Sequence, residues 1–405
     1  MAALRSLVHL SNGNVPSRWA STSQAAKMAQ AFSRQVDRFT FVTSGDLPSL
    51  IWHDDAGFED WYGLHHAFRI VRVPVAFRLR TPLPQDFRSE RYFKLAVLYA
   101  LLKRPSLIYT RSTDILKLCL KADLPVLWEK HEVVPDPPLM RRAASRDSFL
   151  GLVTTSQALA DEYVRHGIPP ARILVAPNAV DLEMFEPYQT KHAARQMLQL
   201  GSDRPIVVYS GHLYDYKGIP TILDVARMLP RVRFILVGGW DVDADRVRSA
   251  CERDGLTNVL VAGHVAQSQL ARYLYAADVL ILPTSSMWDQ AAITCPLKLF
   301  DYMAARRPIV AAALPLIAMT LQDGRNGLLA EPDDAPSFAR AVEVLLSDRP
   351  AAEQMAERAF RDVQNRSWDE RASRILEFAE ARLRHVEPQL TRANTLKAAR
   401  ALVSG

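Results

Sequence analysis

The chain has 405 residues, of which 49% are hydrophobic and 23% charged, and its formal net charge is +6. A chain of this length usually divides between two hydrophobic cores, and this composition is that of a folded globular protein, which excludes a disordered chain. The longest apolar runs, Leu95–Leu102 and Pro308–Met319, are too short to cross a bilayer as helices.

The first half of the chain alternates short apolar runs with segments of helical periodicity. Apolar runs that are typical of buried strands occur at Leu4–Leu10, Arg38–Thr43, Leu107–Tyr109, Val126–Trp128, Leu152–Thr154 and Ile173–Ala176. After the first of them, Ala25, Met28, Ala29 and Phe32 recur at spacings of three and four, as on the apolar face of a helix. This alternation predicts a parallel sheet with helices on both faces.

Polar residues follow several of these strands at their carboxyl ends, where parallel sheets bind ligands. Asn12 and Gly13 follow the first strand, either as a simple tight turn or as a loop whose bare backbone approaches a ligand. His131 follows a later strand and lies between Glu129 and Glu132, whose carboxylates could raise its pKa or orient its ring. We therefore weigh a catalytic role for His131 against a structural one.

The second half restarts the same alternation. Strands are predicted at Ile206–Ser210, Arg233–Val237, Val259–Ala262, Val279–Leu282, Ile309–Ala312 and Gly327–Ala330. The first is followed by the sequence GHLYDYKG, from Gly211 to Gly218, and then by a helix from about Pro220. Two glycines and Lys217 between a strand and a helix suit an anion held by backbone amides and one ammonium. Alone this pattern is weak, since it is neither a P-loop nor GxGxxG.

The segment Pro283–Val310 combines a strand end, a long polar loop, a helix from near Pro296 and a further strand. The amino end of that helix favours an anion, and Lys298 and Asp301 are neighbours on its surface. A ligand site is therefore predicted here. No metal site is predicted, because the acids at positions 241–245 fit the first turn of a helix and the cysteines lack metal-binding spacing.

Residues 69–111 are unusually basic, with ten Lys or Arg and only two acids, Asp86 and Glu90. Aromatic and aliphatic residues interleave with these cations. The segment could rest on an anionic membrane surface or bind an acidic acceptor, or it could be a solvated helix face. No nucleic-acid motif accompanies it. Without a secretory leader pattern or paired cysteines, we expect a cytoplasmic protein, peripheral at the inner face of the membrane if the basic segment binds there.

Taken together, the chain resembles the GT-B glycosyltransferases of family 4, which retain the anomeric configuration of the donor sugar. The resemblance covers most of the chain and is carried by the sequences GHLYDYKG at 211–218, PLKLFDYMA at 296–304 and PNAVD at 177–181. It implies the GT-B fold, an α/β architecture with two Rossmann-like domains facing each other across a cleft. Residues 1–184 would form the acceptor domain, 185–365 the nucleotide-sugar donor domain, and 366–405 a helix crossing back to the first domain plus a tail.

The resemblance also assigns roles in the donor domain. Lys217 matches a lysine that neutralises the donor diphosphate, while His212 stands where an arginine is usual. Asp301 takes the place of a glutamate that binds the ribose hydroxyls. Ile293 stands where another glutamate usually contacts the donor sugar, so we expect Thr294, Leu297 and Lys298 to hold the phosphate and sugar instead.

In the first domain, the resemblance makes His131 the histidine that faces the donor sugar, and Asn12 and Gly13 the loop that approaches the diphosphate. Lys217, the Gly211 amide and the helix end near Pro296 would meet the charge on the departing diphosphate. His131 and Lys217 are thus the catalytic candidates.

The implied function is metal-independent, retaining transfer of a sugar from a nucleotide-diphosphate sugar to a glycan, lipid-linked or small-molecule acceptor, as in polysaccharide biosynthesis. No cofactor is expected beyond the nucleotide sugar, and no nucleic acid is expected as a partner. Because of His212 and Ile293, a non-catalytic protein that binds nucleotide sugars stays open as an alternative. A GT-B-type sugar epimerase is a further alternative, although it needs an additional acid/base set that the sequence does not display.

Overall fold

The structure is a computed structural model that describes residues 4–46, 55–76, 89–201, 203–293 and 296–384. Thr294, which the resemblance assigns to the donor site, lies outside the described residues, as do positions 77–88 of the basic segment and the tail from 385. The chain forms two compact units. The first unit comprises Met1–Pro177 and Trp368–Gly405, and the second comprises Asn178–Ser367.

The first unit is built on a seven-stranded parallel sheet covered by helices. Its strands are β1 (Ser6–Asn14), β2 (Arg38–Asp46), β3 (Ile70–Ala76), β4 (Leu107–Thr110), β5 (Val126–Lys130), β6 (Phe149–Thr154) and β7 (Ile173–Val175). Its helices are α1 (Ala20–Ser33), α2 (Asp55–Tyr62), α3 (Glu90–Lys103), α4 (Thr113–Lys121), α5 (Pro137–Ala144) and α6 (Gln157–Arg165). The strand order is β3-β2-β1-β4-β5-β6-β7.

The second unit is built on a six-stranded parallel sheet. Its strands are β8 (Ile206–Ser210), β9 (Arg233–Val237), β10 (Val259–Gly263), β11 (Val279–Leu282), β12 (Ile309–Ala312) and β13 (Leu328–Ala330), in the order β10-β9-β8-β11-β12-β13. Its helices are α7 (Lys191–Met197), α8 (Ile219–Met228), α9 (Asp241–Arg253), α10 (Gln267–Ala276), α11 (Leu297–Ala304), α12 (Pro315–Ala318), α13 (Ala335–Ser347) and α14 (Arg349–Val363). Every residue of β8, β11 and β12 is buried, because helices cover both faces of a parallel sheet.

The predicted α/β architecture is therefore confirmed, and twelve of the thirteen strands lie close to where the sequence predicts them. The strand that the sequence analysis did not predict is β3, at the edge of the first sheet. Arginine and proline interrupt its apolar pattern, at Arg72 and Pro74, and both residue types are tolerated at a sheet edge.

The change from the first unit to the second occurs earlier than the expected boundary at residue 184. Val180, Met184 and Phe185 belong to the hydrophobic core of the second unit, and the Val180 amide donates to the Arg366 carbonyl at 2.9 Å. The chain therefore leaves the first unit at Pro177, and it returns at Trp368, where residue 366 was expected.

The last described helix, α15 (Trp368–Leu383), packs within the first unit. Trp368, Ile375 and Ala379 form its buried stripe. The first turn of α15 contacts the carboxyl end of α1, since Arg34 and Asp369 form an ion pair at 3.0 Å. Among the described residues, no helix is both long enough and apolar enough to span a membrane.

Asn12 and Gly13 do not form the tight turn that was one of the two alternatives, because β1 continues through them to Asn14. The Gly13 carbonyl accepts hydrogen bonds from the Ser11 hydroxyl at 2.8 Å and the Thr43 hydroxyl at 2.7 Å. Both residues are half-buried at the carboxyl edge of the first sheet.

His9 lies at the centre of the first core. Only 1% of it is exposed, and its ring meets Phe32, Phe41 and Tyr109 edge to face. Burial lowers the pKa of His9 to about 3, and the charge of Glu129 opposes this only in part. The folded protein therefore keeps His9 neutral at pH values at which the unfolded chain protonates it.

We expect His9→Phe to weaken the pH dependence of stability between pH 7 and pH 5. In the wild type the unfolded chain binds a proton at His9 as the pH falls below 6.5, whereas the folded chain does so only near pH 3. This difference costs about 2 kcal/mol of stability between pH 7 and pH 5. Urea unfolding at both pH values should show that the drop is smaller by that amount in His9→Phe. The control is His192→Phe, which changes an exposed histidine; an equal effect of both variants would contradict the prediction.

Candidate functional site

Two loops of the second unit meet at the carboxyl edge of its sheet. One loop follows β8 and spans 211–218, and the other follows β11 and leads to α11. Because β8 and β11 are neighbouring parallel strands, their loops leave the sheet side by side. The Ser285 amide joins them by donating to the Tyr216 carbonyl at 3.1 Å.

Two lysines lie at this junction, one from each loop region. The Lys217 ammonium is 3.9 Å from the centroid of the Trp288 ring, and the Lys298 ammonium is 3.9 Å from that of Tyr209. Neither lysine has an ion-pair partner among the described residues. These aromatic faces give each cation a favourable but weak partner, and Asp301 favours only the charge of Lys298.

The surroundings of the lysines disfavour their charged forms. Burial lowers the pKa of Lys217 to about 8. Burial, and then the charge of Lys217, lower the pKa of Lys298 well below its ordinary value, while Asp301 opposes the effect. An anion that entered this site would relieve both penalties, so the site is suited to a small polyanion.

Gly211 has a different role from the one expected of it. Its amide donates to the Val237 carbonyl at 2.8 Å, so the predicted use of this N–H against a phosphate is wrong. A side chain at Gly211 would instead overlap the Lys298 ammonium. The glycine therefore makes room for the lysine.

Gly218 allows the two loops to approach each other. Its φ is +83°, a left-handed conformation, and a Cβ at this position would overlap the Pro283 carbonyl of the other loop. Both facts require glycine here.

His212 is neutral in the site. Burial, and then the charges of Lys298 and Lys217, lower its pKa to about 4. Its ring stacks on that of Tyr214 with a centroid separation of 5.0 Å and an interplanar angle of 8°. It therefore adds no cation to the two lysines unless an anion first neutralises them.

The stacking continues through three further aromatic rings, which the sequence analysis missed. Tyr214 stacks on Tyr216 at 5.3 Å, and Tyr216 stacks on Trp288 of the other loop at 5.1 Å. The Trp240 indole N–H donates to the Tyr214 hydroxyl at 2.8 Å. Rings at the alternate positions 212, 214 and 216 were the available signal, but stacking on Trp288 depends on the fold of both loops.

Helix α11 begins at Leu297, close to the predicted start near Pro296, and Pro296 occupies its N-cap position instead of its first turn. Its first turn presents N–H groups that lack intrahelical acceptors, with the positive end of the helix dipole. Lys298 and Asp301 are both half-buried on this helix. The Tyr302 hydroxyl accepts from the Ser210 amide at 2.8 Å and so fixes α11 to the end of β8. Lys298 thereby lies beside Gly211 of the loop 211–218, with Leu297 and Asp301 on the same helix.

A second group of candidate residues lies at the carboxyl end of β5 in the first unit. The His131 Nε2–H donates to the carboxylate of Glu129, which is fully buried. The Arg371 guanidinium of α15 also binds this carboxylate, at 2.8 Å. His131 is therefore oriented by a carboxylate, as one of the two alternatives proposed.

The other alternative is correct only in part, because Glu129 raises the pKa of His131 but other groups outweigh it. Burial and the charge of Arg111 together lower this pKa to about 4, and the opposing effect of Glu129 is smaller. The sequence does not reveal that Arg371 binds Glu129. The available signal was its spacing, since an arginine three residues after Trp368 lies on the buried stripe of an amphipathic helix.

Two family models match the chain. The model described as "Glycosyltransferase Family 4" matches residues 22–184, and that described as "Glycosyl transferases group 1" matches residues 204–348. Between them they cover most of both units.

Curated relatives of this chain include D-inositol 3-phosphate glycosyltransferases. The protein from Xylanimonas cellulosilytica is 29% identical over 242 residues, which are 57% of this chain and 57% of that protein. The protein from Mycobacterium bovis is 28% identical over 253 residues, or 60% of this chain and 51% of that protein. The chain thus spans about half the length of the curated relatives it matches.

Solved structures share the fold. A glycosyltransferase from Rickettsia africae matches with a TM-score of 0.72 and 14% identity, over 94% of this chain and 100% of that one. HepE from Anabaena in complex with UDP-glucose matches with a TM-score of 0.70 and 18% identity, over 93% of this chain and 100% of that one.

We expect Gly218→Ala to destabilise the second unit strongly. The left-handed conformation alone costs about 1 to 2 kcal/mol for a residue with a Cβ, and the overlap with Pro283 adds a similar or larger cost, for a total of about 2 to 5 kcal/mol. Urea unfolding measures the loss. The matched control is Gly255→Ala, at a φ of +66° with open space around the Cβ. Equal losses in the two variants would show that the close approach of the loops contributes nothing.

Proposed function

We propose that this chain, which belongs to the GT-B group 1 glycosyltransferases, transfers a sugar from a nucleotide-diphosphate sugar to an acceptor hydroxyl with retention of anomeric configuration. The observation that carries the proposal is the pair of half-buried lysines, Lys217 and Lys298, without an ion-pair partner among the described residues. A diphosphate is the polyanion that such a donor brings.

We propose that different residues of this site bind the diphosphate and the ribose of the nucleotide sugar. The diphosphate binds Lys217, Lys298 and the first turn of α11 at Leu297, where ammonium groups and free N–H groups both favour an anion. The carboxylate of Asp301, on the same helix, accepts hydrogen bonds from the ribose hydroxyls. His212 becomes easier to protonate once the diphosphate neutralises the two lysine charges that lower its pKa.

The chemical step depends on stabilising the leaving group. The bond between the anomeric carbon and the diphosphate oxygen breaks, and the acceptor oxygen forms its bond on the same face. The acceptor's proton passes to the departing phosphate oxygen. Charge that develops on the diphosphate is met by the two ammonium groups, which act in a partly desolvated site and need little reorganisation. In this proposal the lysines supply the positive charge, so transfer is expected to persist when EDTA is added.

The comparisons guide the choice of substrate to test first. HepE, a neighbour in fold, was solved with UDP-glucose, so uridine diphosphate sugars are the first donors to test. The curated relatives act, by their names, on D-inositol 3-phosphate. Since the chain matches only about half of each, we propose a hydroxyl acceptor of glycan, lipid-linked or small-molecule type without carrying over that acceptor.

We expect Lys217→Ala to reduce the turnover of a nucleotide-sugar donor at least tenfold. Loss of one ammonium next to the diphosphate removes at least about 1.4 kcal/mol of transition-state stabilisation. The measurement is release of the nucleoside diphosphate over a panel of nucleotide sugars, with and without acceptors. Lys191→Ala is the control, because Lys191 pairs with Asp278 at the amino ends of the strands.

The wild type should also lose donor affinity as the pH rises through about 8, where free Lys217 loses its proton. Lys217→Arg keeps its charge and should not show this loss. Unchanged turnover in Lys217→Ala would contradict the proposed role of the lysine. Binding of donors without any turnover by the wild type would favour the non-catalytic alternative.

We also propose that α3 touches an anionic membrane surface. This helix lies in the basic segment and exposes Leu102 (70%) and Leu95 (41%), which are seven residues apart and share a face. Arg91 lies on the same face one turn before Leu95, and Lys103 follows Leu102. Exposed leucines beside cations are the composition of a surface that rests on anionic lipid.

Sedimentation with vesicles that contain phosphatidylglycerol tests this contact. The double variant Leu95→Gln/Leu102→Gln should bind at least tenfold more weakly, because burying each leucine contributes on the order of 1 kcal/mol or more. Binding should also fall with salt. Val344→Gln, which changes an exposed valine of the second unit, is the control. Vesicle binding that is absent, or insensitive to salt, would refute the contact.

A further inference from the structure

The first unit contains a buried network of charged and amide groups around Glu129. One oxygen of this carboxylate accepts hydrogen bonds from His131, from the Gln24 amide at 2.9 Å and from Arg371 at 2.8 Å. The Gln24 carbonyl in turn accepts from the Arg111 guanidinium at 2.9 Å. Strand β5, helix α1, the loop after β4 and helix α15 thus contribute to one network.

Arg371 is the residue that closes this network. Its guanidinium binds both oxygens of Glu129, at 2.8 and 3.4 Å, and its remaining donors reach the carbonyls of Ala176 and Pro177 at 3.0 to 3.3 Å. Only 3% of its side chain is exposed. A guanidinium held on both sides cannot turn, so it fixes the position of the carboxylate.

The carboxylate then decides which imidazole nitrogen carries the proton. An ionised carboxylate only accepts hydrogen bonds, so the His131 Nε2 that faces it must carry hydrogen. Although burial raises the pKa of Glu129, the charge of Arg371 and the hydrogen bonds from His131 and Arg371 lower that pKa to about 2. In a neutral ring the other nitrogen, Nδ1, therefore keeps a lone pair.

We propose that Glu129 and Arg371 are positioning residues that hold His131 as a neutral imidazole with its proton on Nε2, so that Nδ1 accepts a hydrogen bond from a substrate hydroxyl. The inference rests on the proposed sugar transfer for the identity of that hydroxyl, which belongs to the donor sugar or the acceptor. A neutral nitrogen that accepts a hydrogen bond can bind a hydroxyl group. It does not favour a phosphate, because a phosphate oxygen needs a hydrogen-bond donor or a cation. His131 thus differs in kind from the lysines of the second unit.

The groups that face His131 set its response to pH. Arg111 after β4 and Arg371 on α15 disfavour a second proton, as does burial, whereas Glu129 favours it. Glu132 is a further nearby carboxylate, since its own pKa responds to His131. Removal of the Arg371 charge should therefore make His131 easier to protonate.

The experiment uses the full-length chain with ¹⁵N-labelled histidine, and His131→Gln identifies the His131 signals. In the wild type we expect the Nε2–H tautomer and a pKa of about 4. In Arg371→Met we expect the Nδ1–H tautomer to become populated and the pKa to rise, but only in part, because burial and the charge of Arg111 still lower it. Arg371→Lys keeps the positive charge, so it should restore much of the low pKa of His131. It lacks the forked guanidinium that holds both carboxylate oxygens, so it should restore less of the tautomer preference.

Arg374→Met is the matched control. Arg374 lies three residues further along α15, is exposed and donates one hydrogen bond to the Val175 carbonyl at 3.0 Å. It should leave both the pKa and the tautomer of His131 unchanged. If Arg371→Met unfolds because Glu129 is left buried without its partner, Glu129→Gln/Arg371→Met removes both charges and tests whether the tautomer preference is lost with them.

With a donor that the wild type turns over, kcat/KM of Arg371→Met relative to wild type should fall, since the Nδ1–H tautomer lacks the Nδ1 lone pair, and it should fall further as the pH decreases toward the raised pKa of His131. A wild-type His131 that titrates near 6.5, or that carries its proton on Nδ1, would overturn the inference. So would an Arg371→Met spectrum identical to that of Arg374→Met. Because these spectra need no turnover, they test the inference separately from sugar transfer. They can overturn the inference even if sugar transfer is established. They can also support the proposed positioning of His131 by Glu129 and Arg371 if sugar transfer is not established.

Discussion

The second unit holds two half-buried lysine cations, Lys217 and Lys298, that form no ion pair among the described residues, although the charge of Asp301 partly favours that of Lys298. Removing an ammonium from water is costly, and the Tyr209 and Trp288 rings return only part of that cost. The lowered pKa of Lys217 expresses the remainder. A protein keeps such an arrangement where a ligand supplies the missing charge. Two glycines allow this arrangement. Gly211 makes room for Lys298, and Gly218 lets the two loops touch.

The first unit handles charge in the opposite way. Glu129 is buried with a full set of donors, and its negative charge is matched by Arg371. The network leaves one nitrogen of a neutral imidazole available, which we propose binds a hydroxyl, whereas we propose that the lysines of the second unit bind an anion. These electrostatic differences follow from which groups are buried and which partners they find.

The aromatic rings explain why a histidine can stand where the family usually has an arginine. His212 stacks on Tyr214, and that stack continues to Trp288 in the neighbouring loop. A planar neutral ring fits this column, and burial and the two lysine charges already hold the pKa of His212 low. We propose that Lys298, from a different element, supplies the charge for which the resemblance leads us to expect an arginine.

The sequence by itself determined the two parallel sheets, nearly all of their strands, and the positions of Lys217, Lys298 and Asp301 on a loop and a helix start. These follow from periodicity and from local residue types, which act over a few positions. It could not determine that the Gly211 amide is already bonded to Val237, that the second unit begins at Asn178, or that Arg371 reaches Glu129. Those facts depend on pairings between residues far apart in the chain, and only the packing of the folded units decides which donor meets which acceptor and which charge stays without a partner.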